Sequence, residues 1–140
     1  MTQVSQKLDG RNALVTGASR GLGRHCAVSL ARAGARVALA ARVPAALADV
    51  ASGIADMGGR ALAVSMDVTD SDSVAKAVDV AETELGPLGV LVNNSGVAVT
   101  KPALEMTEAD WDKVIDTNLK GVWMVAREVG QRMAAHGHGG

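Results

Sequence analysis

The chain has no tyrosine, no phenylalanine and a single cysteine among its 140 residues. Without tyrosine, no phenolic hydroxyl is available for acid–base chemistry at any position. With Cys26 alone, no internal disulfide can form, and a cytoplasmic location is the expectation. No apolar stretch approaches the roughly 20 residues a membrane helix needs. Met1–Asp9 is polar and lacks the apolar core of a signal peptide. An excess of charge of either sign is missing too. Lys plus Arg is 14 and Asp plus Glu is 15, so neither nucleic acid nor an anionic membrane surface has an electrostatic case as partner.

What is present is globular: 48% hydrophobic and 21% charged, one domain's worth of chain able to bury a core. Short, nearly continuous apolar runs occupy Asn12–Thr16, Arg36–Ala41, Ala61–Met66 and Val90–Asn93, as in parallel strands buried on both faces. Helical periods lie between them. Arg20–Ala33 carries Leu22, Cys26, Ala27, Leu30 and Ala31 on one side, and Gly34 can end it. Pro44 can open a second helix, with Leu47, Val50, Ala51 and Ile54 inward and Gly58-Gly59 as the stop. Asp70 or Ser71 caps a third, with Val74, Val78, Ala81 and Leu85 on its stripe and Gly86-Pro87 at its end. Thr107, with Asp110 in capping-box spacing, begins a fourth that runs through Trp111, Val114, Ile115, Val122 and Val125 to about Met133. The order β-α-β-α-β-α-β-α predicts an α/β fold with a doubly wound parallel sheet and right-handed crossovers.

The first apolar run leads into VTGASRGLGRH, Val15–His25, with glycines at 17, 21 and 23. A glycine-rich turn between a strand and a helix can aim backbone N–H groups at an anion. Gly17 would permit the tight turn, Gly21 the close approach of phosphate oxygens, and Gly23 close packing of the helix without a Cβ in the way. The spacing is neither GxGxxG nor a P-loop, because no Gly-Lys-Ser/Thr follows. A glycine turn without a ligand remains the alternative.

The ends of the later strands add to this. A site for NAD usually places Asp or Glu at the end of the second strand; here Ala41 and Arg42 stand there. Arg42 together with Arg20 suits a 2′-phosphate, which favours NADP over NAD; two solvated arginines are the alternative. Asp67 could accept a hydrogen bond from an adenine amino group, with Val68 against the ring, or could help start the next helix. NNSG, Asn93–Gly96, points to the crevice at the carboxyl edge of the sheet, or forms an Asx-type turn.

With these pieces in place, the chain resembles the short-chain dehydrogenase/reductase family in its NADP-preferring, ketoreductase-like branch. Thr16-Gly17-Ala18-Ser19-Arg20-Gly21-Leu22-Gly23 matches that family's TGxxxGxG, and Asp67-Val68 matches its adenine motif. Asn93-Asn94-Ser95-Gly96 matches NNAG, with Ser95 in place of Ala, and Asn118 matches the Asn that interrupts the long fourth helix. The resemblance implies a Rossmann-type sheet, incomplete at about four strands, with residues 1–7 a flexible tail and 8–140 the amino-terminal dinucleotide-binding part. It implies that Gly17, Ala18, Ser19, Arg20, Gly21, Leu22 and Gly23 form the pyrophosphate and ribose loop, and that Arg42 holds the 2′-phosphate. It places Asp67 and Val68 at the adenine, and Asn94, Ser95 and Gly96 beside the ribose near the nicotinamide. Asn118 would be an accessory to a proton-relay water.

The same resemblance implies catalysis by a Ser and a Tyr-x-x-x-Lys that fall past Gly140, and implies further strands beyond the fourth. HGHGG then reads as the glycine turn into strand five, and the fourth strand as an open edge. The chain is therefore expected to be part of a longer protein, or to be held by a partner or by self-association. Alone it is expected to bind NADP weakly and to be inactive. The parent enzyme would move hydride between the nicotinamide and a carbonyl/alcohol carbon of a small substrate, of 3-oxoacyl or sugar-acid type. It would form a homo-oligomer through the long fourth helix, with Trp111 and Trp123 as packing or interface residues. A non-catalytic dinucleotide-binding or subunit-pairing module is the alternative. A methyltransferase-like relative is a third reading, against which Arg42 and NNSG argue.

The remaining reactive side chains carry less. His136 and His138 make two imidazoles without a third ligand, so no metal site is expected. His25 and Cys26 are adjacent on a helix and do not face each other, and Cys26 is expected in the core. Ser19 has no base suggested near it and suits a phosphate hydrogen bond. Lys101, Lys113 and Lys120 read as surface charges.

Overall fold

A computed structural model describes residues 7–137. Its strands β1 (Asn12–Thr16), β2 (Arg36–Ala41), β3 (Arg60–Ser65) and β4 (Val90–Val92) form one parallel sheet ordered β3-β2-β1-β4. The helices are α1 (Gly21–Arg32), α2 (Ala48–Asp56), α3 (Ser71–Leu85), α4 (Glu108–Ile115) and α5 (Gly121–His136). The Rossmann-type, doubly wound arrangement read from the sequence is the fold observed.

Alternation along β1 shows why the sheet is a middle layer. Ala13 and Val15 pack on one face with Ala27 of α1 and with Val50 and Ile54 of α2. Leu14 packs on the other with Val74 and Val78 of α3 and Val125 and Val129 of α5. All these side chains are buried, so a strand with apolar residues at every position satisfies both faces. From β1 the chain winds outward through β2 to β3. It then crosses back to place β4 on the other side of β1. That reversal opens a crevice at the carboxyl ends of β1 and β4, where open α/β sheets place their ligands.

Local chemistry sets the boundaries. Asp70 caps α3, accepting from the backbone N–H groups of Asp72 at 3.0 Å and Ser73 at 3.4 Å. Thr107 and Asp110 form a reciprocal capping box at the start of α4. Several expectations shift. Pro44 opens a 3₁₀ turn, Pro44–Leu47, and α2 begins only at Ala48. β3 starts one residue early, at Arg60. β4 ends at Val92, where the Asn93 amide donates to the Val122 carbonyl oxygen and the Asn94 N–H donates to the Thr16 hydroxyl instead of continuing the ladder. The fourth helix is continuous in path but contains a five-residue π turn, Asp116–Lys120, between α4 and α5, and it runs on to His136.

Leu22 is the clearest departure. It was expected on the buried stripe of the first helix and is 72% exposed. The buried line of α1 is Gly23 and Ala27, with Cys26 half-buried beside it, and Leu22 stands off that line in the first turn. The expected tail falls on residues 1–6, outside the described residues, while Lys7 stands in a turn. Of HGHGG, Gly137 caps α5 in a left-handed conformation, and residues 138–140 lie outside the described residues. Among the described residues, no helix is long and apolar enough to cross a membrane.

Candidate functional site

The crevice at the carboxyl edge is a cleft of about 570 Å³, within the roughly 300–1,000 Å³ usual for small-molecule sites. Its floor is the glycine loop. Gly17 has φ +63° and Gly21 φ +54°, conformations that L side chains rarely adopt. A Cβ on Gly21 would meet nothing within 4 Å, so the main chain there is open to a ligand. A Cβ on Gly23 would overlap the Gly17 carbonyl oxygen and the Asn94 side-chain nitrogen. Gly23 thus lets the first turn of α1 lie against the loop itself. No side chain caps α1 and no acid sits in its first turn. Its leading N–H groups and positive dipole end are therefore available to an anion.

The loop is tied to β4 by side chains. The Thr16 hydroxyl accepts from the Asn94 N–H at 2.9 Å and the Ser95 N–H at 3.0 Å. The Asn94 amide donates in return to the carbonyl oxygens of Thr16 at 3.2 Å and Gly17 at 3.1 Å. The Asn94 amide nitrogen is therefore occupied in holding the loop, and the cleft wall at β4 continues through Ser95 and Gly96.

A second wall comes from the ends of β2 and β3. Asp67 Oδ1 accepts from the Thr69 hydroxyl at 2.7 Å and the Thr69 N–H at 2.9 Å. These bonds, with the Arg42 charge adding to them, hold the Asp67 carboxyl below its ordinary value despite partial burial. Helix capping falls to Asp70, so Asp67 shapes the turn before the helix and stays on the cleft. Arg42 and Arg20 also line the cleft, and both are exposed.

The third wall is the long helix. Asn118, in the π turn, grips Val97 twice: Oδ1 accepts from its N–H at 2.8 Å and Nδ2 donates to its carbonyl oxygen at 2.8 Å. A Cβ on Gly121 would stand 2.9 Å from a Val68 methyl, so glycine there allows the helix to close on the Asp67–Val68 turn. This wall presents Lys113, Asp116 and Thr117 to the cleft.

The residues read from the sequence thus converge, with distinctions among them. Gly17, Ser19, Arg20, Gly21, Arg42, Asp67, Val68, Asn94, Ser95 and Gly96 line the cleft. Ala18 is fully buried beneath it, its N–H bonded to the Ala40 carbonyl oxygen. Gly23 acts through packing, Leu22 is outside the wall, and Asn118 is behind it. Two contributors were missed. The Thr16 hydroxyl was visible only as one letter of the TGxxxGxG match. Lys113 is exposed, as its reading as a surface charge expects, but it also borders the cleft, and its spacing to Asp116 and Thr117, i, i+3 and i+4, puts all three on one helix face. Elsewhere, Lys101 is paired with Asp110 at 2.7 Å, and the His136 ring lies 3.3 Å from Glu82. No cluster of three potential metal ligands occurs among the described residues.

A strand–glycine loop–helix at a topological switch point defines the class: a Rossmann-type α/β fold. The sequence model of the short chain dehydrogenase family matches residues 11–140. Gluconate 5-dehydrogenase of Gluconobacter oxydans is 40% identical over 132 residues, covering 94% of this chain and 52% of that protein. D-threitol dehydrogenase of Mycolicibacterium smegmatis is 37% identical over 133 residues, covering 95% and 51%. Among solved structures, a short-chain type dehydrogenase/reductase from Mycobacterium marinum superposes with TM-score 0.94 at 40% identity, covering 97% of this chain and 54% of that one. A metagenomic short-chain oxidoreductase in complex with NADP superposes with TM-score 0.88 at 38% identity, covering 95% and 61%. The chain belongs to the short-chain dehydrogenase/reductase family, whose members are oxidoreductases that bind NAD or NADP. It spans about half the length of the curated relatives it matches.

Proposed function

We propose that residues 8–140 are the cofactor-binding part of an NADP-dependent short-chain oxidoreductase. The observation that carries this reading is Arg42 on the cleft at the end of β2, with Arg20 in the neighbouring loop. Where an acid would receive the ribose hydroxyls the strand end offers the Arg42 guanidinium instead, with that of Arg20 in the loop, and guanidinium groups fork onto phosphate oxygens. The features of the cleft fit a dinucleotide: an uncapped helix N-terminus, open main chain at Gly21 and a volume large enough for one. The N–H groups around Ser19–Leu22 would hold the diphosphate, Arg20 and Arg42 the 2′-phosphate, Asp67 and Val68 the adenine. Ser95 and Gly96 would border the ribose near the nicotinamide. The complex of a related oxidoreductase with NADP supports the same choice.

When bound, the cofactor supplies or accepts a hydride at a carbonyl or alcohol carbon. This chain's residues bind and orient it. Asn118 holds the Val97 segment in place as a positioning residue. The sequence has no tyrosine, so Tyr-x-x-x-Lys chemistry is absent from these 140 residues, and we expect them to be inactive alone. For the substrate of the whole protein we favour a sugar acid or polyol over a 3-oxoacyl thioester. Gluconate and D-threitol dehydrogenases among the relatives support that choice. Cytoplasmic location and a homo-oligomer through the long helix, whose Trp111 and Trp123 are exposed, belong to the same proposal.

The test is Arg42→Asp, with NADPH and NADH titrated separately. NADPH binding is expected to weaken by about tenfold or more while NADH binding changes little. Equal effects on both cofactors would remove the 2′-phosphate role.

A further inference from the structure

Two charged side chains on the cleft wall, Lys113 and Asp116, have no part in the reading above. Lys113 lines the same cleft as Arg20, Arg42 and Asp67, but from the helical wall rather than from the strand ends. Its ammonium group makes no hydrogen bond or ion pair with any described residue. Two cations elsewhere are committed: Lys101 to Asp110 at 2.7 Å, and Arg132 to Asp79 and Glu128 at 2.7 Å each. Nor is the placement of Lys113 incidental. The start of α4 is fixed by the Thr107–Asp110 capping box, the π turn that follows it by the Asn118–Val97 bonds, and the approach of α5 to Val68 by Gly121. Three cations, Arg20, Arg42 and Lys113, face the cleft against two carboxylates, Asp67 and Asp116. Asp67 Oδ1 already accepts from the Thr69 hydroxyl and N–H.

We propose that Lys113 is a specificity-determining residue that engages the adenosine 2′-phosphate from the helical wall, completing a two-sided clamp with Arg42. The inference rests on the NADP reading above. The two cations divide the work by their chemistry. Arg42 offers a planar fork suited to paired oxygens; Lys113 offers a compact charge on a long, flexible stem. A dianionic phosphate has oxygens for both, while a 2′-hydroxyl has no charge for either. Lys113 therefore separates NADP from NAD without adding to the binding of their common parts.

The experiment uses the full chain and two probes, adenosine 2′,5′-bisphosphate and AMP, titrated by calorimetry against wild type, Lys113→Gln, Lys113→Arg and Arg42→Gln. Wild type is expected to prefer the bisphosphate. Lys113→Gln is expected to weaken the bisphosphate by about five- to tenfold and AMP by less than about twofold, and Lys113→Arg to restore most of the loss. If wild type does not distinguish the two probes, the NADP reading fails and takes this inference with it. If wild type distinguishes them and Arg42→Gln weakens the bisphosphate while Lys113→Gln does not, this inference alone is overturned. An equal loss on both probes in Lys113→Gln also overturns it, because a structural role would do that.

Discussion

β1 and β4 lie side by side and run parallel, yet they are built differently. β1 has five residues, all buried, and pairs on both sides. β4 has three, all half-buried, and among the described residues pairs only with β1. Both deliver essential parts of the cleft: β1 the glycine loop, β4 the Asn94–Gly96 turn. The central strand is held by its core and its ladder. The outer one is held to it by four side-chain hydrogen bonds through Thr16 and Asn94. Where backbone pairing is short, polar side chains take over the task of fixing the geometry. They do so at the place where a ligand needs it fixed.

The contrast can be broken at several points. The largest effect is expected in the two strands themselves. Leu14→Ala should cost about 2–5 kcal/mol of unfolding free energy, and Leu91→Ala, half-buried on β4, less than half of that. Equal losses in urea denaturation would erase the distinction between centre and edge. Gly23→Ala comes next, at about 1–3 kcal/mol, because its Cβ meets the Gly17 carbonyl, a backbone atom that cannot step aside. Cofactor binding should fall further than stability does, since the loop itself must shift. Thr16→Val keeps the shape of the side chain but removes the acceptor of two N–H groups. We expect a cost of about 1–3 kcal/mol, with Thr16→Ser close to wild type. A serine variant as damaged as the valine would mean that packing, not the hydroxyl, joins β4 to the loop.

The smallest expected effect is local and depends on pH. Asp110 is held down to about 2 from an ordinary 3.8, by Lys101 first and then by the Thr107 N–H and hydroxyl. Its folded-state value is depressed, so its contribution is complete above the ordinary value and is lost as pH falls through about 2. Trp111, one turn into α4, should report loosening of the helix start in that window. Asp110→Asn should loosen it at neutral pH and flatten the acid transition.

The sequence made the frame legible for a physical reason. Continuous apolar runs such as LV in β1 and VALAA in β2 can be buried on both sides only in a parallel middle layer, and the stripe Val74, Val78, Ala81, Leu85 has one place to go. The Thr107–Asp110 box is local chemistry and needed no tertiary context. Periodicity was weaker on the solvent side. It says which face of a helix meets the core, not which flank of the polar face overhangs a cleft, and so Lys113 was legible as a surface charge but not as part of the cleft rim. Leu22 misled in the opposite sense: it fits the stripe of α1 by spacing, but the buried line of the helix is Gly23 and Ala27, and Leu22 is exposed. The reciprocal bonds of Thr16 and Asn94 join residues 78 apart in the chain, a relation no local pattern encodes.

The central claim is that the glycine loop cradles a diphosphate while Arg42 reads the 2′-phosphate. A crystal structure of the full chain with NADP tests it most directly. The account predicts the diphosphate on the backbone N–H groups at the start of α1, with the 2′-phosphate within hydrogen-bond reach of Arg42. A diphosphate bound elsewhere, or an Arg42 turned away from the 2′-phosphate, would contradict it.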